Sequence, residues 1–194
     1  MSRQSVACTT QAEVDDATSA GHIAVVRKGH HIAAGSATVL AISTAIVTAY
    51  DSATVHAMNS AVVFAMSSST VSAVDSAIVH AMDSATVSAW GSAVVYAKTV
   101  ARVYAIGSAT VHAIDFASVS ATGSATVHAM DSVVVRASSG VHVHKLSDDC
   151  AIIGGVVICP PTGEEMAADP TKWLAHYGVK VEGGVTTLFK AVDD

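Results

Sequence analysis

An eight-residue repeat runs without a gap from residue 35 to residue 146, fourteen times over. It constrains the fold more than any other feature of the chain. Clean copies read DSATVHAM (51–58), DSAIVHAM (75–82), DSATVSAW (83–90) and GSATVHAM (123–130). With the positions numbered from Gly35, the fifth is Val in every copy, from Val39 to Val143. The seventh is Ala in every copy but the last, which carries Lys145. The third is nearly always Ala, while the fourth, sixth and eighth wander among Thr, Ile, Val, His, Ser, Tyr, Met and Trp. Constant and variable positions alternate, which is the period of a strand with one face buried. An octad gives no 3.6-residue stripe and this one is poor in helix formers, so helix is excluded. Position one (Asp, Gly, Asn or Ser) and the Ser after it are turn residues. A short fixed repeat of this kind predicts a solenoid, with coils stacked through parallel-sheet hydrogen bonds at about 4.8 Å.

The outward columns indicate how many octads close one coil. With two, position four sorts into Thr38, Thr54, Thr70 and Thr86 on one face (face A). Ile46, Val62, Ile78 and Val94 then fall on the other (face B). Position six sorts into Ser72, Ser88 and Ser120 on face A and His80, His112, His128 and His144 on face B. A three-sided coil mixes Thr with Val at position four but keeps one tidy column, His56, His80, Tyr104 and His128. The reading adopted is an all-β, parallel β-solenoid of two octads (sixteen residues) per coil and about seven regular coils, with a small α+β appendage at the C-terminus. Position-five valines then stack as Val55, Val71 and Val87; a three-sided coil would set Val55 on Val79.

The coil resembles the sixteen-residue repeat of bacterial ice-nucleation proteins, likewise two octads with Ser and Thr at fixed places. The resemblance covers residues 35–146, without that family's Thr-x-Thr and Tyr ladders. It implies an ice-binding surface through Thr38, Thr54, Thr70 and Thr86. The chain is also similar to octapeptide-repeat proteins of unknown role from actinobacteria and their phages. The stretch WLAHYGVKVEGGVTTLFKAV (173–192) is similar to a short module in proteins of those groups.

Outside the repeat, residues 1–18 read as a polar, acidic, irregular tail, and 19–34 as a degenerate capping coil. In that coil His30 and His31, beside Arg27 and Lys28, form a solvated end. Residues 147–194 read as a C-terminal cap and a small strand–helix–hairpin module. AIIGG and VVIC supply strands, Asp169-Pro170 a helix start, and Gly183-Gly184 a hairpin turn.

Composition narrows the function classes. Hydrophobic residues make up 51% and charged residues 13% of the 194, which raises the question of a membrane span. Residues 29–50 and 52–74 carry no charge, yet Ser, Thr or His interrupts both every few residues at period two, unlike a spanning helix. The N-terminus lacks the apolar core of a signal peptide, and three cysteines are no disulfide framework. Cytoplasmic residence is expected, or a place in the virion if the chain is phage-encoded. A net charge of −6 argues against direct binding of nucleic acid. No membrane association, small-molecule substrate or cofactor is expected.

No Gly-x-Ser-x-Gly elbow, phosphate loop or Cys-x-x-Cys is present, so an enzyme is not expected. His112, His128, His142 and His144, on adjacent rungs of one face, are candidate ligands for zinc or nickel. A DNA mimic that binds a nucleic-acid enzyme needs denser negative charge than five Asp against Lys98, Arg102, Arg136 and Lys145. The leading reading is a non-enzymatic structural or protein-interaction solenoid, a homodimer or the binder of another protein. Its contact patch is Ile46, Tyr50, Val62, Phe64, Met66, Ile78, Met82, Val94 and Tyr96 on face B, an exposed apolar area of interface size.

Overall fold

In a computed structural model, residues 3–160 are described, and every strand in them belongs to one parallel stack. The strands are β1 (Ser5–Cys8), β2 (Ile23–Val26), β3 (His30–Ala33), β4 (Thr38–Ala41), β5 (Ile46–Ala49) and β6 (Thr54–Ala57). They continue as β7 (Val62–Ala65), β8 (Thr70–Ala73), β9 (Ile78–Ala81), β10 (Thr86–Ala89), β11 (Val94–Ala97) and β12 (Arg102–Ala105). The last are β13 (Thr110–Ala113), β14 (Ser118–Ala121), β15 (Thr126–Ala129), β16 (Val134–Lys145) and β17 (Ala151–Ile158). One helix, α1 (Gln11–Ser19), lies between β1 and β2.

Within the repeat each octad pairs with the octad two before it, the first half of β16 with β14 and its second half with β15, so two octads close one coil. Val55 sits opposite Val71, and Val71 opposite Val87, at a spacing of sixteen residues. Face A is the column β1, β2, β4, β6, β8, β10, β12, β14 and the first halves of β16 and β17. Face B is β3, β5, β7, β9, β11, β13, β15 and the second halves of β16 and β17. The stack therefore has about ten turns against the seven expected. Residues 19–34 form an ordinary coil from β2 and β3, and β17 adds a rung beyond the last octad.

Between the sheets lies a thin core of Val and Ala. The position-five valines from Val39 to Val143 are at most 1% exposed, and most of the position-three and position-seven alanines are sealed equally well. Small side chains suit this, since two facing sheets must fill the gap between them without voids.

The turns explain position one. From Gly35 to Asp131 every position-one residue has φ between 54° and 77°, the left-handed region. Gly, Asn and Asp tolerate that region best. The aspartates add a bond between coils. Gly35 N–H donates to Asp51 Oδ2 (3.1 Å), Asn59 N–H to Asp75 (3.3 Å) and Ser67 N–H to Asp83 (3.1 Å). Thr99 N–H donates to Asp115 (3.0 Å) and Asp115 N–H to Asp131 (3.3 Å). Each carboxylate satisfies a backbone donor of the coil before it, so these side chains are engaged in the turn rather than displayed as a row of free charges.

The N-terminus departs from its sequence reading. Of the stretch read as an irregular tail, residues 3–18 are ordered: β1 pairs in register with β2, and α1 follows it. Thr10 caps α1 in a capping box, its Oγ1 accepting from Glu13 N–H while Glu13 Oε2 accepts from Thr10 N–H. Val14 and Ala17 turn into the core. Among the described residues face B has no strand before β3, and the Gln11 amide takes the place of one. Its Nε2 donates to the Ile32 carbonyl (3.0 Å) and its Oε1 accepts from the Ile32 N–H (2.7 Å). An open sheet edge is a template for unwanted pairing, and α1 covers this one.

His31 is also not solvated. It stands in the position-five column opposite Val47, 3% exposed, and its Nε2 donates to the Lys28 carbonyl at 3.0 Å. His30 does face outward, against Thr48 Oγ1 at 2.7 Å.

The chain divides into two compact units, Met1–Ile158 and Cys159–Asp194. The expected helix start at Asp169-Pro170 and the hairpin at Gly183-Gly184 lie outside the described residues. Among the described residues no helix is long and apolar enough to cross a membrane.

Candidate functional surface

Face B carries the most organised side-chain array of the described residues. Because β7, β9, β11, β13, β15 and β16 pair in register, their position-six side chains lie one above another. Phe64, His80, Tyr96, His112, His128 and His144 form one ladder of six stacked rings. Their centroids are 4.9, 4.9, 5.0, 4.7 and 4.6 Å apart in turn, and the ring planes differ by 6° to 15°. The spacing follows the strand separation, and offset stacking of rings at this distance is favourable. Thr48 pairs opposite Phe64 at one end, and Ile158 opposite His144 at the other.

Beside the ladder, Ile46, Val62, Ile78 and Val94 make the position-four row. It is exposed at Ile46 and half-buried in the other three. Tyr50, Met66 and Met82 make the position-eight row, exposed at Tyr50 and half-buried at the methionines. The predicted contact residues therefore share one continuous surface. Three of the four histidines read from the sequence as a separate metal set, His112, His128 and His144, are the upper half of the same ladder. Sequence reasoning sorted one column by chemistry into two groups; position six of alternate octads was the signal that joins them.

The ladder geometry bears on metal binding. Stacked parallel rings hold their nitrogens side by side at about the centroid spacing. One zinc ion needs its imidazole nitrogens converging at about 2.0–2.1 Å from the metal. His142 stands in the neighbouring column, paired with Thr126, and is exposed. Among the described residues no three His, Cys, Asp or Glu side chains are gathered as a metal ion would require.

Burial lowers the proton affinity of three ladder histidines. Desolvation holds the pKa of His80, His112 and His128 below that of free imidazole. Lys98 pushes His80 further in the same direction, and His112 and His144 do so for His128.

On face A the threonines do line up: Thr38, Thr54, Thr70 and Thr86 are successive partners in register. The column is short. Ile23 precedes Thr38 and Arg102 follows Thr86. The neighbouring position-six column reads Leu40, His56, Ser72, Ser88 and Tyr104, so no second row of Thr accompanies the first.

Compared with known proteins, the chain matches no family model, no curated protein and no solved structure.

Proposed function

We propose that the chain is a non-enzymatic interaction solenoid that self-associates through face B. The observation that carries this reading is the six-ring ladder with Ile46, Val62, Ile78 and Val94 on one side of it and Tyr50, Met66 and Met82 on the other. The solenoid's own core cannot use this surface, because position-four, position-six and position-eight side chains point away from it. Aromatic and Met side chains on a face poor in charge are the composition enriched at interface centres. From β5 to β16 face B spans seven rungs. At about 4.8 Å per rung and about 13 Å of strand, the flat contact is of order 400 Å2 per copy. A standard interface takes about 800 Å2 from each partner, so a weak dimer is the expected outcome, with two copies face to face about a two-fold axis.

Phe64→Lys tests the reading, because it sets a charge at the first ring of the ladder, inside the contact patch, without touching the core. Light scattering should show a wild-type dimer at high micromolar concentration and a folded monomer for the variant. A wild-type protein that remains monomeric, with a melting temperature indifferent to Phe64→Lys, would sink the proposal.

A further inference from the structure

We infer that the ring ladder is a proton-operated release for face B. With its imidazoles neutral the face accepts a second copy, and when neighbouring imidazoles take up protons the copies separate. The inference rests on the self-association reading and adds its regulation.

Four of the six ladder rings are imidazoles, and three of them, His112, His128 and His144, are consecutive at 4.7 and 4.6 Å. Charges this close lie well inside the roughly 8 Å over which physiological salt screens them. The remaining ionisable or charged groups on the ladder strands are Tyr96, Lys98, His142, Lys145 and, on the face A half of β16, Arg136. No carboxylate occupies an outward position of face B from β5 to β16. Five aspartates of the flanking turns, Asp51, Asp75, Asp83, Asp115 and Asp131, already accept backbone N–H groups of the preceding coil, and Asp148 and Asp149 lie in the turn after β16. Protonated His112 and His128 are therefore neighbouring like charges, with no carboxylate at an outward position of their face. A facing copy would bring a second such pair against them.

The sign follows from burial. Folded His80, His112 and His128 hold protons less readily than free imidazole, whose pKa is about 6.5. Between the lowered values and about 6.5 the unfolded chain binds more protons than the folded one. Stability is thus complete above that window and declines as the pH falls through it. Pressing a second copy onto the ladder deepens the desolvation, so association declines in the same direction.

The test compares the full chain with the double variant His112→Phe/His128→Phe at pH 7.5 and pH 5.0. Phe64 and Tyr96 already stand in the ladder, so phenyl rings fit its rungs, and the variant leaves only His80 and His144, which are not adjacent. Sedimentation equilibrium should show wild-type dimerisation weakened at least about tenfold at pH 5.0, and the variant by no more than about threefold. Equal association at both pH values, or the same loss in the variant, would overturn the inference. A protein monomeric at pH 7.5 would remove the self-association reading and the release with it. Melting temperatures then show whether the ladder itself senses protons: a larger fall on acidification in wild type than in the variant retains the charge sensor, and equal falls reject that too.

Discussion

Thr99 is the residue in the stack least suited to its place. It occupies position one with φ of 59°, where a β-branched side chain is strained and the other coils use Gly, Asp, Asn or Ser. Its N–H is engaged by Asp115, so the backbone is held there regardless of the side chain. Thr99→Asn keeps the N–H and relieves the strain. It should raise stability by about 0.5–1 kcal/mol, measured by urea unfolding. Gly154, in the last rung, has φ of 79°, and a Cβ there would overlap the Ala137 carbonyl oxygen. Gly154→Ala should therefore loosen β17 and speed amide exchange across Ala151–Ile158. Unchanged exchange would mean that this close approach does not hold the rung in place.

The individual strands are four residues long through most of the stack, and none is stable outside it. What each element needs is a partner on both sides, which the inward column secures. Val87 lies between Val71 and Val103 and is fully buried. Val87→Asp would put an unpaired charge there, costing several kcal/mol, and should abolish the cooperative melt. At the N-terminal end, Gln11 stands in for a strand. Gln11→Ala should cost about 1–2 kcal/mol and expose the Ile32 amide to fast hydrogen exchange; retained protection would show that α1 closes the edge by packing alone. The sequence made the coil legible because the inward column is uniform while the outward columns alternate with octad parity, so Thr38, Thr54 and Thr70 separate cleanly from Ile46 and Val62. It hid α1, because the acidic composition of 11–16 masked Thr10 and Glu13, whose spacing is a capping box, and left only Val14 and Ala17 to mark a buried side. It hid the inward place of His31, since an imidazole beside Lys28 and His30 reads as polar surface. The outer rungs were legible more coarsely, 19–34 as a degenerate coil and 151–159 as capping strands, because both lose the octad signature, and the short β1 was not read as a strand.

Residues 3–160 form a stack in which each rung depends chiefly on its neighbours, as in other repeat architectures. Ten rungs on face A at about 4.8 Å give a rod of about 43 Å. Ice binding would ask for a flat, regular Thr surface along much of that length, and four Thr bounded by Ile23 and Arg102 do not provide one. No thermal hysteresis is expected at micromolar protein in a cold-stage droplet, and clear ice shaping would contradict this. The ladder on face B, by contrast, extends over six rungs and is the longest unbroken column of like side chains that faces outward. That is why association, rather than ice, is the reading carried forward.

The sixteen-residue register also governs how a gene for such a rod can change length. Loss of two neighbouring octads in frame removes one complete rung and leaves every later side chain on its original face. Loss of one octad leaves the Val-Ala interior equally satisfied, yet exchanges the two faces for everything downstream. Removal of residues 83–90 would carry Tyr96, His112, His128 and His144 over to face A, severed from Phe64 and His80. The fold does not register the difference, while the surface does. Selection acting on the ladder would therefore be visible as parity: lineages of such a gene should grow and shrink by pairs of octads, and odd numbers should appear only where the outward columns have ceased to matter.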